Sequence, residues 1–176
     1  GLIYPDTISV VFSDSIPLFA VIFKLFSALL PARFQYFGIF CLVTFLLQGG
    51  FAALICDRLI KNRAFSLMLS VFFILSPVAL KRSFYHCALS AHFLILAAFA
   101  IWLYKDSFQS RLTPVWLFAL LNALTVTIHV YFTALTAGIL LCFALQELLE
   151  KKNWKHVLLL TGTSAAAVFG TAWLFG

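Results

Sequence analysis

Two adjacent cations and two imidazoles fall within one short stretch, KRSFYHCALSAHFLIL, residues 81–96. The chain is 64% apolar and only 10% charged, and charge near lipid is costly, so it is kept where it acts. Lys81 and Arg82 suit a phosphate, because Arg presents a planar fork of donors and Lys a compact point charge. His86 follows within about one helical turn and adds a third donor; His92 lies about a turn further into the apolar run. The facing wall is acidic. Asp14, in VVFSDSIPL, directly precedes a segment that must rest on the membrane. A carboxylate at that depth can take a proton from an acceptor hydroxyl, or hold a divalent cation that bridges to phosphate. Asp6 is a second, weaker carboxylate.

Each of these residues has a plainer reading that stays open. Lys81 and Arg82 equally suit anchoring to lipid phosphates. Asp14 equally suits the N-cap of the helix that Pro17 starts. His92 equally suits a neutral imidazole bonded to a neighbouring helix, and His129 a helix-terminal histidine at the interface.

The elements that position these groups are helices in lipid. Apolar runs recur along nearly the whole chain without period-two alternation, which points to an all-α, polytopic transmembrane bundle and away from a membrane barrel. Residues 1–35 read as an external loop followed by an interfacial helix at 17–30, whose Lys24 snorkels to the headgroups. Residues 36–176 read as the bundle, with six apolar segments at 36–56, 64–80, 88–104, 114–128, 132–148 and 157 onward. The first is about 31 Å long as a helix, enough to span. Gly49-Gly50 within it predicts close approach of another helix.

Eight of the twelve Lys and Arg lie in 57–63, 105–113 and 147–156, so the positive-inside rule places those loops in the cytoplasm. Residues 1–35, the 81–87 cluster and the 129–131 turn then share the outer face. Asn122, Thr125, His129, Thr133 and Thr136 recur at three or four residues and lead to that end. If 129–131 is a kink they share one helical face, and if it is a reversal they line two adjacent helices. His129 and Tyr131 thereby join the candidate pocket.

Several classes are excluded. The net charge of +6 sits in short clusters between apolar runs, with no basic face for nucleic acid. Cys41, Cys56, Cys87 and Cys142 fit no metal spacing, and their place in or beside apolar runs argues against a disulfide framework. No HExxH, GxSxG, P-loop or GxGxxG occurs. Residues 1–15 hold two aspartates and no basic stretch, unlike a signal peptide. Starting without Met and stopping inside an apolar run, the chain reads as a piece of a longer protein whose remaining helices are its partners.

Four runs carry a resemblance: YPDTISVVFSDSIPLFAVIFKLFSALLPARFQYFGIF, FLLQGGFAALI, HCALSAHFLILAAFAIWLY and HVYFTAL. Over most of residues 4–145 they resemble a family of large bacterial membrane proteins, itself similar to the GT-C class of membrane glycosyltransferases. The FSDSIPL and HCALSAH runs are its most specific parts. The resemblance implies a GT-C-like bundle in the inner membrane, taking sugar from a polyprenyl-phosphate donor at the non-cytoplasmic face. It implies that Asp14, with Asp6 behind it, is the base or ligand of a Mg or Mn ion. It also implies that Lys81, Arg82, His86 and His92 bind the donor phosphate. The chain departs from that pattern in showing a single aspartate between Ser13 and Ser15, where two neighbouring acids are common. It also has His129-Val130-Tyr131 where HPY is commoner. A transporter or flippase for a lipid or anion, and a non-catalytic membrane subunit, are the alternatives.

Overall fold

The computed structural model describes Ser9, residues 13–151 and residues 153–175. Asp6 lies outside them. The described residues fold into eight α-helices joined by short connections, with no strand among them. These are α1 (Pro17–Leu25), α2 (Phe37–Ile60), α3 (Arg63–Ile74), α4 (Pro77–Tyr85), α5 (Phe93–Leu103), α6 (Thr113–Ile128), α7 (Tyr131–Lys151) and α8 (Trp154–Phe175).

Three of them, α2, α7 and α8, are long and apolar enough to cross a membrane. The expectation of six comparable segments needs correction at the other runs. The 64–80 run is two helices, α3 and α4, bent by 45°. The break follows from sequence: Pro77 cannot extend the ladder, and it pushes Ser76 into an extended conformation (ψ 121°). The 88–104 run begins as a 3₁₀ turn, Cys87–Ser90, and only α5 is α-helical. Helix α6 has 16 residues, short for a span. The interfacial 17–30 helix ends at Leu25 and gives way to a 3₁₀ turn, Ser27–Leu29.

Packing is centred on α5, which lies among α2, α6 and α7, while α6 packs most extensively on α8 and α2 on α3. Ala88, Ala91, Ala97, Ala98 and Ala100 are all buried, and such small side chains let helices approach closely where lipid gives no hydrophobic drive. Phe40, Phe118, Phe143, Leu94 and Leu160 fill the remaining interior. Gly49 serves the close approach expected of it: a Cβ there would meet Ile74 Cδ1 at 2.7 Å, so the end of α3 rests on the α2 backbone. Gly50 does not, since a Cβ there meets nothing within 4 Å. The perimeter is greasy, with Leu46, Phe72, Trp116, Phe169 and Trp173 exposed, as a lipid-facing surface requires.

The connections are built by local chemistry. Helix α2 ends at Lys61 in the left-handed region (φ 58°), and Asn62 then caps α3 by accepting from the Phe65 N–H at 3.2 Å. Between α6 and α7 the chain reverses. His129 is extended (φ −164°, ψ 124°), and its Nδ1 accepts from the first N–H of α7, at Tyr131 (3.3 Å). The polar stripe consequently lines two facing helices: Thr125 and Thr133 hydroxyls meet at 2.9 Å, and Thr136 donates to Asn122 Oδ1 at 2.8 Å.

Candidate functional site at the Asp14 end of the bundle

The Ser13–Ile16 loop is pinned from three sides. Tyr36, just ahead of α2, donates its hydroxyl to the Ser15 carbonyl at 2.6 Å, and the Ser13 and Ser15 hydroxyls bond to each other at 2.8 Å. Ile16 is fully buried and holds φ 50°, ψ 68°, a conformation that a β-branched residue avoids at a cost of order 1–3 kcal/mol. Burial in the core holds it there, which fixes the direction in which Asp14 leaves the chain.

Asp14 does not cap α1, as one open reading had it; the residue before that helix is Ile16, with no side-chain cap bond. Its carboxylate crosses to the Cys87–Ser90 turn instead. Oδ1 accepts from the Ala88 N–H at 3.1 Å, and Oδ2 lies 3.6 Å from His86 Nδ1. One carboxylate thus satisfies an orphan donor of the turn and sits beside an imidazole. Both side chains remain substantially open to the outside, so the pair is available to a ligand.

Other expected site residues surround this pair to different degrees. Lys81 and Arg82 are exposed on α4, and no carboxylate among the described residues pairs with them. His129 is buried at the α6–α7 reversal, outside the three spanning helices. Burial lowers its pKa below the ordinary imidazole range; the Asp14 charge opposes that shift and His86 adds to it, which places all three in one electrostatic neighbourhood. Tyr131 packs its ring edge-on against His129, with centroids 4.7 Å apart, and is exposed.

His92 departs from its expected place inside a helix. It is the residue immediately before α5, with its ring edge-on to Phe132, and it faces a separate cavity lined also by Gln48 and Ser76.

Two features escaped the sequence. Cys41 and Cys87, apart in the chain by the whole of α3 and α4, bring their sulfurs to 3.1 Å. Desolvation and the Cys41 neighbour push the Cys87 thiol up to about 12. Single cysteines in apolar runs carry no signal of such pairing. The strained Ile16 was equally silent, because its conformation is imposed from outside the local sequence. Among the described residues no group of three His, Cys, Asp or Glu converges as a metal site would require.

The opposite end of the bundle is closed by its own bonds. Lys105 Nζ lies 3.2 Å from Glu147 and 3.6 Å from Glu150. Arg58 donates to the Leu103 carbonyl at 3.3 Å and covers the Tyr104 ring, whose hydroxyl donates to the Leu54 carbonyl at 3.0 Å.

Compared with known proteins, the whole chain, residues 1–176, matches the family model described as "Domain of unknown function (DUF6311)". No curated protein and no solved structure matches it.

Proposed function

The chain belongs to the DUF6311 family, and from the arrangement at its Asp14 end we propose that it forms part of a membrane glycosyltransferase of the GT-C kind, acting on a polyprenyl-phosphate sugar at the non-cytoplasmic face. One observation carries the reading: a carboxylate and an imidazole from segments far apart in sequence are held together, open to the outside, beside a helix that presents two cations paired with no carboxylate among the described residues. In this reading Asp14 accepts the proton of an acceptor hydroxyl as that oxygen attacks the anomeric carbon. His86 orients the carboxylate, whose other oxygen the Ala88 N–H already fixes. Lys81 and Arg82 offset the charge that develops on the departing phosphate. Phe84 and Tyr85, exposed beside them on α4, give the prenyl chain an apolar surface.

A Mg or Mn ion does not fit the described residues: Asp14 is a lone carboxylate whose two oxygens already face the Ala88 N–H and His86, and no second acid converges on it among them. The roles of Asp14, His86, Lys81 and Arg82 in positioning substrate are assigned without a metal. His92 lines the neighbouring cavity, within reach of the Arg82 charge, so it adjoins this site without facing Asp14 directly.

The test is transfer of labelled sugar from a polyprenyl-phosphate donor by the intact protein in membranes. Asp14→Asn should lower transfer by about 100-fold or more. Lys81→Ala with Arg82→Ala should mainly raise the KM for donor. Undiminished transfer by Asp14→Asn removes the role assigned to that carboxylate.

A second reading, a lipid or anion transporter, draws on the bent α3–α4 pair, since transporters bind substrate at discontinuous helices. Substrate flux across sealed vesicles that persists in Asp14→Asn would favour it.

A further inference from the structure

Away from Asp14, at half height, the bundle contains a polar notch in an apolar wall. Pro77 cannot supply the α-helical bond to the Phe73 carbonyl, which keeps a long bond from the Ser76 N–H at 3.4 Å, and Gln48 Nε2 donates to it as well from the middle of α2. That bond fixes the amide's orientation, because only its nitrogen can donate. It leaves Oε1 buried with no hydrogen-bond partner, on a residue only 3% exposed. Such an atom costs roughly 1–3 kcal/mol unless something donates to it.

Gln48 lines an open cavity of about 440 Å³ together with Ser76, His92, Phe72, Phe73, Ile95 and Leu96. Two helices begin at it. Ser76 precedes α4 and His92 precedes α5, and neither side chain caps its helix. The rim faces outward, with Phe72 75% exposed.

These groups define the ligand. No lining residue carries a permanent charge, although the Arg82 charge is felt at His92, and the orphaned Oε1 requires a donor and disfavours a carboxylate or phosphate oxygen. The side chains of Ser76 and His92 each offer a donor to a ligand oxygen, whereas the His92 and Leu94 N–H groups leading into α5 are already bonded to the preceding turn. A hydroxyl meets both demands, donating to Gln48 Oε1 while its oxygen accepts from Ser76 or His92. The apolar rim on the lipid side accommodates a hydrocarbon chain. A weakly polar alcohol is also the lipid head that reaches half depth at least cost.

We propose that the notch among Gln48, Ser76 and His92 at the α3–α4 break binds the hydroxyl of a long-chain lipid alcohol, with its chain lying along Phe72, Ile95 and Leu96. The volume lies within the range of small-molecule pockets. Asp14 is not among the residues lining the notch, so Asp14→Asn leaves it intact.

The experiment uses the intact protein in nanodiscs and a long-chain alcohol with a photoreactive diazirine in its tail. The alcohol should label residues 72–76 and 92–96 saturably. Excess unlabelled alcohol should compete, whereas the alkane and the carboxylic acid of equal length should not. Gln48→Leu should reduce saturable labelling tenfold or more; because it removes both the unsatisfied oxygen and the bond to the Phe73 carbonyl, its unfolding temperature is measured alongside to confirm that the labelled variant is folded. Ser76→Ala, milder for folding, should weaken competition several-fold. Equal labelling by the alkane overturns the proposal. So does undiminished labelling in both variants, or an absence of saturable labelling because another segment or a partner fills the notch.

Discussion

The two ends of the bundle treat charge in opposite ways. At the Lys105 end, cations and carboxylates consume one another: the Lys105 and Glu147 side chains are 11% and 6% exposed, and Arg58 is spent on a carbonyl and an aromatic face. At the Asp14 end the acid is shared between a backbone N–H and an imidazole, and the neighbouring cations face outward without a carboxylate among the described residues. An end whose charges are mutually neutralised has a structural task. In the proposed function, the end whose cations meet no carboxylate among the described residues is the one that receives substrate from outside.

The comparison can be broken most sharply by covalent trapping. Because the Cys87 thiol is pushed up to about 12, the reduced protein is treated with copper-phenanthroline at alkaline pH for an extended time. Cys41 should cross-link to Cys87, read by thiol alkylation and mass spectrometry, and Cys87→Ser should abolish the product. Cys56 and Cys142 should stay unlinked. Failure to cross-link would separate α2 from the Cys87–Ser90 turn and dissolve the Asp14 cluster with it.

Next in size is Glu147→Ala, which leaves a largely buried ammonium with only Glu150 at 3.6 Å. It should destabilise the protein by about 3 kcal/mol in denaturant unfolding. Between the two ends, Gly49→Ala should cost about 1 kcal/mol because the new methyl meets Ile74. Gly50→Ala should be neutral or stabilising. If the two behave alike, α3 does not rest where the structure has it.

A smaller effect is pH dependence from His129. Its pKa is lowered in the folded protein, so as pH falls the unfolded chain takes up the proton first. Stability is then complete above about pH 6.5 and declines as pH drops from there through the lowered folded value. Unfolding midpoints measured from about pH 7.5 to 5 should show this slope, and His129→Gln should flatten it. Smallest of all, Lys81→Ala and Arg82→Ala should change stability by no more than about 0.5 kcal/mol, as fits exposed residues without partners. A large loss at either would make α4 resemble the Lys105 end.

Much of the architecture was legible because its cause is local. Composition together with the absence of period-two alternation points to helices in lipid, since only helices and closed barrels bond every backbone group internally. Lys and Arg clustering placed 57–63, 105–113 and 147–156 on one side, and the structure gathers Arg58, Lys105 and Glu147 at one end. The three-to-four spacing from Asn122 to Thr136 marked a polar face, although a reversal or a kink both satisfied it until His129 was seen extended.

The amino-acid sequence by itself determined that this chain is helical, apolar on its perimeter and sparing with charge, because propensity, hydropathy and the cost of burying charge act residue by residue. Only the tertiary structure decided that Asp14 reaches across to Ala88 and His86, that Ile16 is forced into a left-handed turn, and that Gln48 meets a carbonyl to which Pro77 cannot donate. Those pairings depend on how separate helices lie against one another. Where several partners satisfy the same local preferences, packing alone selects among them.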